Sequence, residues 1–136
     1  MSLEEGSMIR VLLVDDQPAV RRGLRFRFQL EPDIQVVGEA GSGQEALQLV
    51  QALTPTVVLM DVEMPEMDGI STTTALRTLG GSSSVVILSI HDDALTRARA
   101  QAAGAAAFVA KGGAVDLLIT TIRQVAGQTG SGRNIL

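Results

Sequence analysis

Cysteine is absent from the 136 residues, histidine and lysine occur once each, and the formal net charge is −4. Without cysteine there is no disulfide framework, no thiol nucleophile and no thiolate metal site, and a lone histidine argues against a histidine-based zinc centre. Any metal bound here is expected to be a hard cation held by oxygen. The negative balance leaves no basic footprint for nucleic acid, so the domain itself is not expected to bind DNA. No apolar run reaches membrane-spanning length and no charged-then-apolar leader opens the chain, which points to a cytoplasmic protein without membrane contact. The length suits one domain with a real core and is too short for two.

What is present is an alternation. Apolar, β-branched runs fall at 9 to 14 (IRVLLV), 34 to 40 (IQVVGEA), 56 to 60 (TVVLM), 84 to 89 (SVVILS) and 106 to 110 (AAFVA). Between them, segments at 18 to 30, 43 to 53, 69 to 79, 93 to 103 and 113 to 126 carry apolar residues at helical spacing. Pro18 suits a first helical turn, Pro55 follows the second helix, and Gly80, Gly81 and Gly104 stand where helices stop. Five β-then-α units predict a doubly wound α/β fold: a five-stranded parallel sheet of order 2-1-3-4-5 with helices on both faces. Residues 1 to 7 read as a leader or disordered end, 8 to 127 as the domain, and 128 to 136 as a linker or trimmed end.

In open parallel sheets the working site lies beyond the carboxyl ends of the strands. The first strand ends in Asp15 and Asp16, the third in Asp61, the fourth in Ser89, and the fifth is followed by Lys111; the second offers only Glu39. The predicted order gathers Asp15, Asp16, Asp61, Ser89 and Lys111 around one cleft. Three crowded carboxylates repel unless a divalent cation sits among them, and Mg2+ suits a few carboxylate oxygens with an open face for phosphate. Lys111 is the single lysine among ten arginines, a compact ammonium where the rest of the chain uses a planar fork. Asp61, in "VVLMDVEMPEMDG", is then placed to attack phosphorus and become an aspartyl phosphate.

Competing patterns explain less. "GSGQEA" at 41 to 46 fits a dinucleotide-binding glycine motif, but glycines easing a turn account for it and the strand-end acids stay unexplained. Asp61-Val62-Glu63 superficially fits the nucleophile of haloacid-dehalogenase-like phosphatases, where the pair follows the first strand instead. His91, in "HDD" ahead of a helix, reads as part of an exposed cap. Arg21, Arg22, Arg25 and Arg27 on the first helix read as a solvated face.

Taken together, "LLVDDQ", "VVLMDVEMPEMDG", "VVILSIHDD" and "GAAAFVAKG", in that order and at that spacing, resemble the receiver domain of a two-component response regulator over roughly residues 8 to 127. The resemblance implies that Asp61 accepts a phosphoryl group from a sensor histidine kinase or a phosphotransfer protein. It implies Mg2+ ligated by Asp16, Asp61 and the main-chain carbonyl of Glu63, with Asp15 acting through a metal-bound water. It further implies that Ser89 moves toward the phosphoryl oxygen, Phe108 turns inward and Lys111 pairs with the phosphate, so that the face of the fourth helix, fifth strand and fifth helix changes partner. Such a domain catalyses only its own phosphorylation and dephosphorylation. "LSIHDD" and "LLITTIRQVAGQTG" are most similar to NarL/FixJ-type regulators, which implies transcriptional control, with DNA reached only through a C-terminal domain outside this chain. Homodimerisation stays open. A phosphorylation-independent interaction module and a stand-alone phosphorelay receiver are the alternatives. Two departures stand out: Ile90 follows Ser89 where many receivers have a small residue, and Phe108 replaces a common tyrosine.

Overall fold

The computed structural model describes residues 8–127, in which strands and helices alternate without exception. They are β1 (Ile9–Val14), α1 (Pro18–Phe28), β2 (Ile34–Ala40), α2 (Gly43–Leu53), β3 (Val57–Asp61), α3 (Gly69–Thr78), β4 (Ser84–Ser89), α4 (Ala94–Ala102), β5 (Ala107–Ala110) and α5 (Val115–Gly127). The sheet runs β2-β1-β3-β4-β5 with every neighbouring pair parallel, as the alternation predicts. The expectations for 1 to 7 and 128 to 136 lie outside the described residues. No described helix is long and apolar enough to cross a membrane.

Boundaries shift by a residue or two, and one shift matters. β3 runs one residue later than its apolar pattern, so Asp61 lies inside the ladder, opposite Leu88 of β4. α1 closes at Phe28, ahead of Pro32, which cannot continue a helix.

Period-two alternation sorts the strands between two cores. Ile9, Val11 and Leu13 of β1, Val57 and Leu59 of β3, and Val86 and Leu88 of β4 pack under Phe28 of α1 and Leu118, Ile119, Ile122 and Val125 of α5. Their strand neighbours Leu12, Val14, Val58, Met60, Val85 and Ile87 face the other way, toward α2, α3 and α4. Continuing the count past the apolar residues, Asp15, Asp61 and Lys111 fall on the α1/α5 side, whereas Ser89 and Phe108 fall on the α4 side.

Local chemistry explains the helix starts. Ser42 accepts the Glu45 N–H at 3.1 Å while the Glu45 carboxylate accepts the Gly41 N–H at 2.8 Å, so "GSGQEA" is a capped helix start. Asp68 and Asp93 cap α3 and α4 by accepting the amides of Ser71 and Thr96. The threonine run in α3, poor in intrinsic helix propensity, satisfies its hydroxyls on carbonyls four residues back, including Thr72 on Asp68 and Thr73 on Gly69. α1 and α5 are strapped together at the surface: Arg27 reaches Asp116 at 3.2 Å, and Arg123 reaches Glu31 at 2.6 Å and Asp33 at 2.9 Å.

Gly69 opens α3 against the backbone of Asp61. A Cβ there would overlap the Asp61 carbonyl oxygen, while the Gly69 N–H donates to the Val62 carbonyl at 3.0 Å. Backbone cannot yield as a flexible side chain would. Gly69→Ala is therefore expected to lower stability by about 2–3 kcal/mol despite alanine's better helix propensity. Urea unfolding of the two proteins measures this; an unchanged midpoint would contradict the close approach.

Candidate functional site

At the carboxyl edge of the sheet, carboxylate oxygens of Asp15, Asp16 and Asp61 lie within 4.8 Å of one another. Each is delivered by the ladder. The Asp15 N–H continues β1 by donating to the Ala40 carbonyl, and the Lys111 N–H continues β5 by donating to the Ser89 carbonyl at 2.8 Å. Asp15 and Asp61 are 3% and 2% exposed, and Asp16 is the member open to solvent. Lys111 Nζ sits between the two buried acids, 2.8 Å from Asp61 Oδ1 and 3.2 Å from Asp15 Oδ2. Asp15 also accepts the Gln17 N–H at 2.9 Å. Asp61 Oδ1, by contrast, has the ammonium as an ion contact and no donor aligned for a hydrogen bond. A groove of about 460 Å3 opens beside this cluster, between α1 and the start of α5, and Val20, Leu24, Ile90 and Ala114 are among its lining residues.

One ammonium does not neutralise the cluster. Burial pushes the Asp61 carboxyl up from 3.8 to about 6; Lys111 draws it down, and the Asp15 and Glu63 carboxylates add to the rise. Burial by itself would lower Lys111, but its contacts with Asp61 and Asp15 outweigh burial and raise it. The site thus carries an unmet demand for positive charge. Main-chain acceptors are also available to a cation: Val62 takes the amides of Met64 and Gly69 on its carbonyl, while among the described residues no backbone amide donates to the carbonyl of Glu63.

Asp15, Asp16, Asp61 and Lys111 therefore converge as the sequence suggests. Ser89 stands at the adjoining strand end, fully buried, with its hydroxyl on Glu63 Oε2 at 3.3 Å rather than on Asp61. Phe108, expected to turn inward on switching, already lies inward at 7% exposure, beneath the guanidinium of Arg97 at 4.5 Å from the ring centroid. A ring without a hydroxyl has no polar end to keep in water, and a cation over its face adds to the preference. Arg97 is itself tied to Asp92 at 2.6 Å. His91 is exposed, consistent with its place ahead of the Asp93 cap, yet its Nε2 lies 3.8 Å from Glu63 Oε2.

Of the first-helix arginines, Arg22 is exposed as its spacing suggests, whereas Arg21, Arg25 and Arg27 are half-buried and paired with acids. Arg21 and Arg25 hold Glu39 at 2.9 and 2.6 Å, and Arg21 also donates to the Asp15 carbonyl oxygen. Glu39 is held below the usual carboxylate range: burial works against this, and Arg25 and Arg21 overcome it. Glu39 thus anchors the backbone that presents the acid pair. The signal available in the sequence was its position at the end of β2, next to β1.

Between pH 3.8 and about 6 the folded chain holds the Asp61 proton more tightly than the unfolded chain does, so stability falls as pH rises through that window. Asp61→Asn, which cannot ionise, is expected to be more stable than the wild-type chain above this window by up to about 3 kcal/mol without divalent cations, and to lose that advantage toward about pH 4. Thermal melts at both ends of the window decide it; the same difference at each would rule out a buried ionised acid as the cause.

A family model described as the response regulator receiver domain matches residues 11–123. The nitrate/nitrite response regulator protein NarP of Escherichia coli K12 is 36% identical over 129 residues, which are 95% of this chain and 59% of NarP. A protein-glutamate methylesterase/protein-glutamine glutaminase of Moorella thermoacetica is 44% identical over 119 residues, 86% of this chain and 28% of that protein. Among solved structures, the signal receiver domain of NarL from Mycobacterium tuberculosis superposes with a TM-score of 0.85 at 33% identity, covering 89% of this chain and 98% of that one. The chain spans well under two thirds of the length of both curated relatives. It belongs to the response regulator receiver domain family, and its likeness to NarP and NarL is to the NarL/FixJ class within that family.

Proposed function

We propose that residues 8 to 127 form the phosphoacceptor switch of a two-component system, with Asp61 taking a phosphoryl group from the phosphohistidine of a sensor histidine kinase or a phosphotransfer protein. The observation that carries this reading is the convergence of three carboxylates within 4.8 Å, two of them sharing a single ammonium. Two of those carboxylates are almost wholly buried, which is costly unless a cation joins them. The all-oxygen donor set, the unaligned Oδ1 of Asp61 and the Glu63 carbonyl fit Mg2+. In this reading Asp16, Asp61 and the main-chain carbonyl of Glu63 would hold the ion, and Asp15 would reach it through a water. When bound, Mg2+ supplies the positive charge that offsets the carboxylates and an incoming phosphoryl group.

The remaining work falls to side chains. An ionised oxygen of Asp61 forms the O–P bond as the P–N bond to the donor imidazole breaks, and the bonding pair leaves with the ring nitrogen. Lys111, already shared between Asp61 and Asp15, pairs with a phosphoryl oxygen once Asp61 is esterified. Ser89 turns its hydroxyl toward that group, and Phe108 and Arg97 pass the change to α4. The domain catalyses only its own phosphorylation and dephosphorylation. The new dianion then biases the face of α4, β5 and α5 toward a different partner. Relatives join this kind of domain to different outputs. The NarL/FixJ likeness favours a DNA-binding output domain and control of transcription, reached through a part of the protein outside this chain.

With Mg2+ and beryllofluoride, a stable mimic of the phosphoryl group, amide resonances of Ser89, Phe108 and α4 are expected to move in the wild-type chain and to stay fixed in Asp61→Asn. Fixed resonances in both proteins would leave a phosphorylation-independent interaction module. Separately, Asp16→Ala is expected to lose most of its Mg2+ affinity while its melting temperature without metal stays level or rises, because a repelling carboxylate is gone. Calorimetric titration checks the first half; full retention of affinity would overturn the ligand assignment.

A further inference from the structure

The carboxylate of Glu63 has no part in phosphoryl transfer as described above, which calls only on its backbone. Its two oxygens stand in different surroundings. Oε2 accepts the Ser89 hydroxyl at 3.3 Å and has His91 Nε2 at 3.8 Å, while Oε1 is buried with no hydrogen-bond partner. Ser89 is held from both ends: its proton goes to Glu63, and its oxygen accepts the His91 backbone N–H at 2.9 Å. A serine hydroxyl has a single proton. While Glu63 holds that proton, Ser89 has none to offer an oxygen on Asp61.

We propose that the Glu63 side chain is a positioning residue of the unphosphorylated domain: it draws the Ser89 hydroxyl away from Asp61. Phosphoryl uptake then requires the Ser89–Glu63 hydrogen bond to break. This rests on the phosphoacceptor reading and adds to it a restraint carried by an individual side chain of this chain. Glu63→Gln keeps an oxygen that can accept from Ser89 but removes the charge; Glu63→Ala removes both. Glu63 lies partly exposed in the loop after β3, so neither change empties the core.

At saturating Mg2+, beryllofluoride affinity is expected to rise about tenfold in Glu63→Ala and about threefold in Glu63→Gln, the difference being the hydrogen bond that glutamine retains. In a Ser89→Ala background that difference is expected to vanish, since there is no hydroxyl to hold. Wild-type affinity in Glu63→Ala, or an undiminished difference without Ser89, would overturn the proposal. A readout without metal or beryllofluoride separates it from the reading beneath it. The His91 amide resonance reports the Ser89 oxygen directly and is expected to move in Glu63→Ala and return in Glu63→Gln; no movement would sink the restraint. A wild-type chain indifferent to beryllofluoride would instead sink the phosphoacceptor reading, leaving His91 to decide the hydrogen bond alone.

Discussion

The architecture turns on the contact between Asp61 and Lys111, 2.8 Å apart at the end of β3, whose other residues are all buried and apolar. Burying Asp61 raises its pKa, and the ammonium recovers only part of that cost. Other features of the pocket serve this imbalance. The β3–β4 register carries Asp61 into the ladder instead of into solvent, Ser89's carbonyl fixes the backbone from which Lys111 projects, and Arg21 ties the Asp15 carbonyl to Glu39. A domain seeking only stability would place a leucine at 61. Keeping an acid there suits the proposed pocket, which would gain stability when a cation and an anionic group arrive together.

Much of this was legible from residue order. Short apolar runs rich in Val, Leu and Ile, separated by segments with helical spacing, determine a parallel sheet because short β-then-α connections leave few other topologies. Once the order 2-1-3-4-5 is set, strand-end residues must meet, and Asp15, Asp16, Asp61 and Lys111 do. What stayed hidden depends on rotamers and on neighbours distant in sequence. Charge spacing on α1 suggests a wet face, and nothing local says that Arg21 and Arg25 bend toward Glu39 on another strand. The Ser-x-x-Glu cap is spelled out inside "GSGQEA", where the same glycines also fit a dinucleotide-binding turn. The Ser89 hydroxyl could turn either way from sequence alone, and the Arg97 guanidinium over the inward Phe108 ring is a contact between residues eleven apart that no local pattern announces.

The uneven use of basic residues follows the same division of labour. Arginines supply ties: Arg10 to the Thr54 carbonyl, Arg77 to the Ser83 carbonyl, Arg27 and Arg123 to acids across the α1–α5 seam. Each exposed tie contributes little alone, and a shared network such as Arg123 with Glu31 and Asp33 costs less ordering per contact than isolated pairs do. The lone ammonium stands where the proposed chemistry calls for a partner to be exchanged. A compact charge on a flexible stem moves from one oxygen to another more easily than a bidentate fork.

Strand alternation has one more consequence. Asp61 and Lys111 project to one side of the sheet, Ser89 and Phe108 to the other, so the reactive corner and the aromatic beneath α4 are divided by a wall a single strand thick. At its rim the Ser89 hydroxyl meets Glu63 of the loop after β3, so that hydrogen bond joins the two sides. Away from the rim the two faces can therefore repack independently: a change of volume beneath α5 leaves the lining under α4 untouched.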